Sequence, residues 1–174
     1  GEDFVKLALA QTDRRLMEGK GISDGFLFAA LLWSNVNAEW QRRLDTGEKS
    51  IPALLDAMDT GEARLGDRLA IPRRFLATMR EIWVLQPRFE IRNGSRPYRL
   101  LEQPRFRAGY DFLCLRAEVG EVPKALAEWW EHFQFADGDR RESMMVTDEP
   151  SQDPARKKRR RRRKKPAGDT PADA

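Results

Sequence analysis

Wound as a helix at about 100° per residue, the stretch Pro104 to Val119 (PRFRAGYDFLCLRAEV) has two apolar sides. Phe106, Tyr110, Leu113 and Ala117 fall on one, and Ala108, Phe112, Leu115 and Val119 on the other. A narrow polar stripe of Arg107, Asp111 and Glu118 separates them, and Arg107 and Asp111 are spaced to pair along it. A helix that is apolar on two sides must be covered on both, so the pattern predicts a central helix with others packed around it. Pro104 suits its first turn and Gly120 its end.

The remaining periodicity is also helical. Phe4 to Met17 reads as an amphipathic helix with Phe4, Leu7 and Ala8 on its apolar face, ended by Gly19 and Gly21. Phe26 to Trp33 (FLFAALLW), capped by Ser23 or Asp24, is apolar all round and predicts complete burial. Asn35 or Asn37 is placed to cap a separate short helix through Trp40 and Leu44, closed by Gly47. Ser50 with Pro52 opens a helix carrying Leu54, Leu55, Met58 and Leu65, whose continuity Gly61 and Gly66 weaken. Pro72 opens a longer one with Phe75, Met79, Ile82, Trp83 and Phe89 on one side. Arg73, Arg74, Arg80, Arg88 and Arg92 lie within about 100° on the other, although Pro87 should kink or break the helix before the last two. Asn93-Gly94 marks a turn, Ser95 and Pro97 start a short helix with Tyr98, Leu100 and Leu101, and Pro123 opens one with Val122, Leu126, Trp129, Trp130 and Phe133. His132 falls off that apolar face, and Asp137 or Asp139 starts a last helix to about Met145. Strand-length alternation is absent, so the expected class is all-α: a compact multi-helix domain over residues 1–145, without internal repeats.

From Val146 the composition changes to Pro, Ser and Asp, then RKKRRRRRKK at 156–165, then Pro, Ala, Gly and Asp. Such a segment cannot bury a core, and 146–174 is expected to be a disordered tail. Charge follows the same boundary. The first 155 residues hold 22 basic and 26 acidic residues, whereas the last 19 hold ten basic and two acidic. The folded part is itself uneven: residues 64–116 carry twelve Arg against five acids, between acidic flanks. Those arginines either line a basic groove or pair with the flanks.

Ten adjacent cations repel one another until phosphates neutralise them, and binding then releases counterions from the nucleic acid. The candidate nucleic-acid contacts are therefore Arg156, Lys157, Lys158, Arg159, Arg160, Arg161, Arg162, Arg163, Lys164 and Lys165 in the tail, with Arg73, Arg74, Arg80, Arg88 and Arg92 on the folded surface. A contiguous basic run supplies affinity without base-reading geometry. An anionic membrane surface or a nuclear import receptor would also attract it. Asp137-Gly-Asp139 has the look of a metal-binding carboxylate pair, but acids are favoured at a helix start anyway. One Cys (Cys114) and one His exclude a Cys/His metal cluster and an internal disulfide. A reducing compartment fits, and the cytoplasm is the expected location. The apolar run 26–33 is too short to span a membrane. A chain that opens on Gly in apparent mid-helix suggests a processed product or a fragment.

The chain resembles the C-terminal half of bacterial poly(A) polymerases. The resemblance rests on GFLFAALLW at 25–33, LAIPRR at 69–74, REIWVLQPRF at 80–89, RPYRLLEQPRFRAGYDFLCLRAE at 96–118, LAEWWEHFQ at 126–134 and the arginine-rich tail, in that order. It implies the helical body and RNA-binding end of an enzyme that adds adenylates to RNA 3′ ends. ATP and Mg2+ would be used by an N-terminal catalytic head, in which a Gly-Ser turn and an Asp-x-Asp pair bind two metals, and the resemblance places no part of that head on this chain. No cofactor is expected on this chain itself, and its implied partners are RNA and that head. The alternatives are the body of a CCA-adding enzyme, which usually lacks such a tail, or a stand-alone helical nucleic-acid-binding protein. The oligomeric state is left open.

Overall fold

The computed structural model describes residues 1–19 and 23–146; within it, the side chains of 65–69 are not described. The described residues form eight helices and no strand: α1 (Glu2–Met17), α2 (Asp24–Asp45), α3 (Ser50–Leu69), α4 (Arg73–Phe89), α5 (Arg96–Leu101), α6 (Phe106–Glu118), α7 (Lys124–Phe135) and α8 (Gly138–Met144). The class is all-α, as the periodicity predicts.

The two apolar sides of α6 are both covered, and each belongs to a different core. Phe112 and Leu115 enter a core built from α1, α2, α3 and the first half of α4, with Trp33, Trp40, Met58, Met79, Ile82 and Trp83 around them. Ala108 and Val119 pack at its edge. Phe106, Tyr110, Leu113 and Ala117 enter a second core with Leu85 and Phe89 of α4, Leu100 of α5, and Leu126, Trp130 and Phe133 of α7. α4 divides in the same way, so α4 and α6 together form the partition between the cores. They can approach closely because residue 109 is glycine: a Cβ there would sit 2.6 Å from Leu85 Cδ1.

The partition carries buried polar groups, and they satisfy one another. Gln86 donates to the carbonyls of Ile82 (3.0 Å) and Gly109 (3.1 Å), tying α4 to α6. Arg116, 3% exposed, donates to Glu121 Oε2 (3.1 Å) and to Gln86 Oε1 (3.4 Å). Its guanidinium lies 5.0 Å from the Trp33 ring centroid, and Trp33 Nε1 donates to the same Glu121 oxygen at 2.8 Å. Burial pushes the Arg116 pKa down, and Glu121 opposes that. The second core is closed by indole hydrogen bonds from Trp130 to the Phe89 carbonyl (2.8 Å) and from Trp129 to the Met144 carbonyl (2.9 Å).

Several local expectations are corrected. α2 is one helix of 22 residues; Asn35 and Asn37 cap nothing, and Asn37 Oδ1 instead accepts from Gln41 one turn on. The run 26–33 is not wholly buried: Leu31 is 45% exposed, and Phe26, Leu27 and Phe28 are half-buried, because α2 lies on the outside of its core. α3 runs through Gly61 and Gly66 unbroken; residue 61 faces α2, where a Cβ would meet Val36 at 3.1 Å. Leu65 is among the side chains not described. Ser50 is already helical rather than a cap, and Pro72 and Pro123 are the residues just before α4 and α7. Pro104 also precedes its helix, which begins at Phe106. Pro87 lies inside α4, buried, and the helix continues to Phe89. His132 is exposed. The segment 147–174, including the basic run, lies outside the described residues.

Candidate nucleic-acid interface

Of the basic side chains proposed from sequence, the ten from Arg156 to Lys165 lie beyond the described residues. The other five do not share one face. Arg73 and Arg74 are exposed in the first turn of α4, with Arg74 laid 4.6 Å over the Phe75 ring. Arg80 is committed to α3: its guanidinium donates to Asp59 (2.9 Å) and Glu62 (2.8 Å). Burial works against its charge, and the bonds it donates to Glu62 and Asp59 outweigh that and raise its pKa. This is the pairing of the basic band with its acidic flanks, seen also at Arg116 with Glu121. Arg88 is exposed and has no carboxylate partner among the described residues. Arg92 has left the helix, since α4 stops at Phe89 with Glu90 as its cap. Arg92 turns instead towards α7, where its guanidinium is 5.9 Å from the Trp129 ring and its Nε is buried without a partner. The helical arithmetic failed there because the helix ends, not because Pro87 breaks it.

What the structure gathers around Arg88 is a set the periodicity did not group. Arg96 and Arg99 of α5 line a hollow of about 380 Å³ with Arg88, over an aliphatic floor of Ile51, Ile91 and Leu100. None of the three arginines has a carboxylate partner among the described residues. The signal available in the sequence was the basic band itself; placing α5 beside the end of α4 is a tertiary fact.

The described residues do not fit a catalytic metal pair. No group of three His, Cys, Asp or Glu among them could hold an ion. The Asp137 carboxylate accepts the Arg140 amide at 2.8 Å and caps α8, so the Asp-Gly-Asp motif is a helix start. Among these residues no helix is long and apolar enough to cross a membrane.

A family model described as the polymerase A arginine-rich C-terminus matches residues 46–165, which is 120 of the 174 residues. The match runs from the end of α2 to the last residue of the basic run. The chain belongs to this polymerase A family. Its relatives include poly(A) polymerase I of Haemophilus influenzae, 36% identical over 146 residues, covering 83% of this chain and 32% of the relative. Poly(A) polymerase I of Escherichia coli O157:H7 is 36% identical over 156 residues, covering 86% of this chain and 33% of the relative. That of Salmonella typhi is 34% identical over 157 residues, covering 88% and 33%. The chain spans about a third of the length of the curated relatives it matches.

Proposed function

We propose that this chain is the RNA-holding portion of a polynucleotide adenylyltransferase, an enzyme that extends RNA 3′ ends with adenylates from ATP in RNA processing and decay. The observation that carries this reading is the extent of the family match, which includes the whole basic run from Arg156 to Lys165. A body whose exposed arginines include several without a carboxylate partner among the described residues continues into ten adjacent cations; together they hold the phosphates of a substrate that is lengthened one nucleotide at a time. Counterion release makes such binding strong and indifferent to sequence, as the product of untemplated addition requires.

The chemistry belongs to a separate catalytic head that binds ATP and Mg2+. Among the described residues no three His, Cys, Asp or Glu are grouped to hold an ion, and no step of phosphoryl transfer is assigned to this chain's carboxylates. The relatives' names favour the poly(A) branch over the CCA-adding one. The single cysteine and an RNA substrate fit the cytoplasm. The test incubates the chain with a labelled RNA primer, ATP and Mg2+. The expected result is a stable RNA complex with no untemplated extension. Extension above a contaminant control would refute the division of labour, and absence of RNA binding would refute the reading as a whole.

A further inference from the structure

Three hollows on this surface share lining residues in series. The one under Arg88, Arg96 and Arg99 shares Arg88 and Gln103 with a smaller one of about 170 Å³, walled by Val84 and Leu85. That hollow shares Pro104 and Arg105 with a third, of about 490 Å³, formed where α1 crosses the start of α6 and lined by Arg14, Arg15 and Arg107. The result is one furrow from α5, past the end of α4, to α1.

We propose that this furrow is a track for single-stranded RNA, which rests on the RNA-holding reading above and assigns it a path across the folded body. Among the described residues its lining holds seven arginines against three carboxylates, Glu18, Glu81 and Asp111. Three of the arginines are fixed in place. Arg105 donates to Glu81 (2.8 Å), while Arg15 and Arg107 share Asp111 at 2.9 and 3.3 Å. Arg14, Arg88, Arg96 and Arg99 have no carboxylate partner among the described residues. These unpaired guanidiniums are spread along the furrow: two at the α5 end, one at its waist and one at the α1 end. A single phosphate would need them converged at one point, whereas a chain of phosphates meets them in turn. The waist is the smallest of the three hollows, about 170 Å³. Between the arginines the walls are aliphatic at the α5 end, with Ile51, Ile91 and Leu100, whereas the α1 end mixes Ala8 and Ala108 with Gln11, Thr12 and Ser23. Phe26 is the one aromatic ring in the lining. Without a row of stacking platforms the track holds the strand mainly through its phosphates.

The experiment measures anisotropy of a fluorescein-labelled single-stranded oligoadenylate on the full 174-residue chain over a range of KCl concentrations. Each phosphate contact on a single strand contributes about −0.7 to the slope of log affinity against log salt. Arg88→Gln/Arg96→Gln/Arg99→Gln should flatten that slope by about 2, and Arg14→Gln at the far end by about 0.7. The control Arg42→Gln/Arg43→Gln/Arg64→Gln removes the same charge from outside the furrow and should leave the slope unchanged. All variants are checked for wild-type helical circular dichroism. An unchanged slope in the furrow variants overturns the track. So does an equal loss in the control, which would assign the effect to overall charge. A duplex RNA that shows the same slope change overturns the single-strand assignment. If the unaltered chain has no RNA affinity, the proposed function itself falls, which separates the two failures.

Discussion

Replacing Glu121 by Ala would leave a guanidinium stranded between two helices. Arg116 is buried to 3% exposure, and Glu121 is the carboxylate that hydrogen-bonds it, at 3.1 Å. The same Glu121 oxygen accepts the Trp33 indole N–H at 2.8 Å. Removing one partner of a buried pair costs about 3–5 kcal/mol, because the other charge stays desolvated and unpaired. The Glu121 side chain is 24% exposed, against 4% for Arg116, so water partly fills the vacated site and the expected loss is near the lower bound, about 3 kcal/mol. The reverse change is milder. In Arg116→Met, Glu121 keeps the Trp33 donor and its access to water, and the expected loss is about 1–2 kcal/mol. In Arg116→Met/Glu121→Gln both charges are gone and an acceptor for Trp33 remains. That double variant should therefore be more stable than Glu121→Ala, since replacing a buried pair by neutral groups is often close to neutral. Urea denaturation followed by tryptophan fluorescence, with slopes compared to confirm two-state behaviour, measures all three. If Glu121→Ala proves no worse than Arg116→Met, the carboxylate does not hold the buried charge, and the reasoning about this cluster is wrong.

Two further outcomes are expected. Leu113 and Leu115 are each 0% exposed in separate cores, so Leu113→Ala and Leu115→Ala should each cost about 2–5 kcal/mol in the same denaturation assay; one near-neutral result would mean that α6 is covered on a single side. Glu39 takes hydrogen bonds from Arg42 and Arg43, and the Arg42 bond above all draws its carboxyl from 4.5 to about 2. A lowered carboxylate pKa adds stability that is complete above about pH 4.5 and is lost as pH falls through about 2; Glu39→Gln should flatten the stability curve in that window, and superimposable curves would contradict it.

The helices were legible where one residue's burial is decided by its own helix. The two sides of α6 could be read from period alone, since each apolar position there has a covering partner. α2 was read as two helices because Asn35 and Asn37 look like caps, yet Val36 and Trp40 continue one buried stripe through them. Arg116 went unread as a core residue, although it lies one turn after Phe112 and so on a covered side. The arginine surface was the least legible. Whether Arg80 meets solvent or Asp59 depends on how α3 packs on α4, and whether Arg96 stands beside Arg88 depends on the turn after α4. Neither is a property of a single helix.

The central claim is that RNA is held chiefly through the run Arg156 to Lys165. The direct measurement is the salt dependence of single-stranded RNA affinity for the full chain and for a chain ending at Glu149. Up to ten phosphate contacts from the run would contribute a slope of about −7. The account predicts that the shorter chain binds far more weakly and loses most of that slope, keeping a residual due to the folded arginines. Equal affinity and an equal slope in the two chains would contradict it.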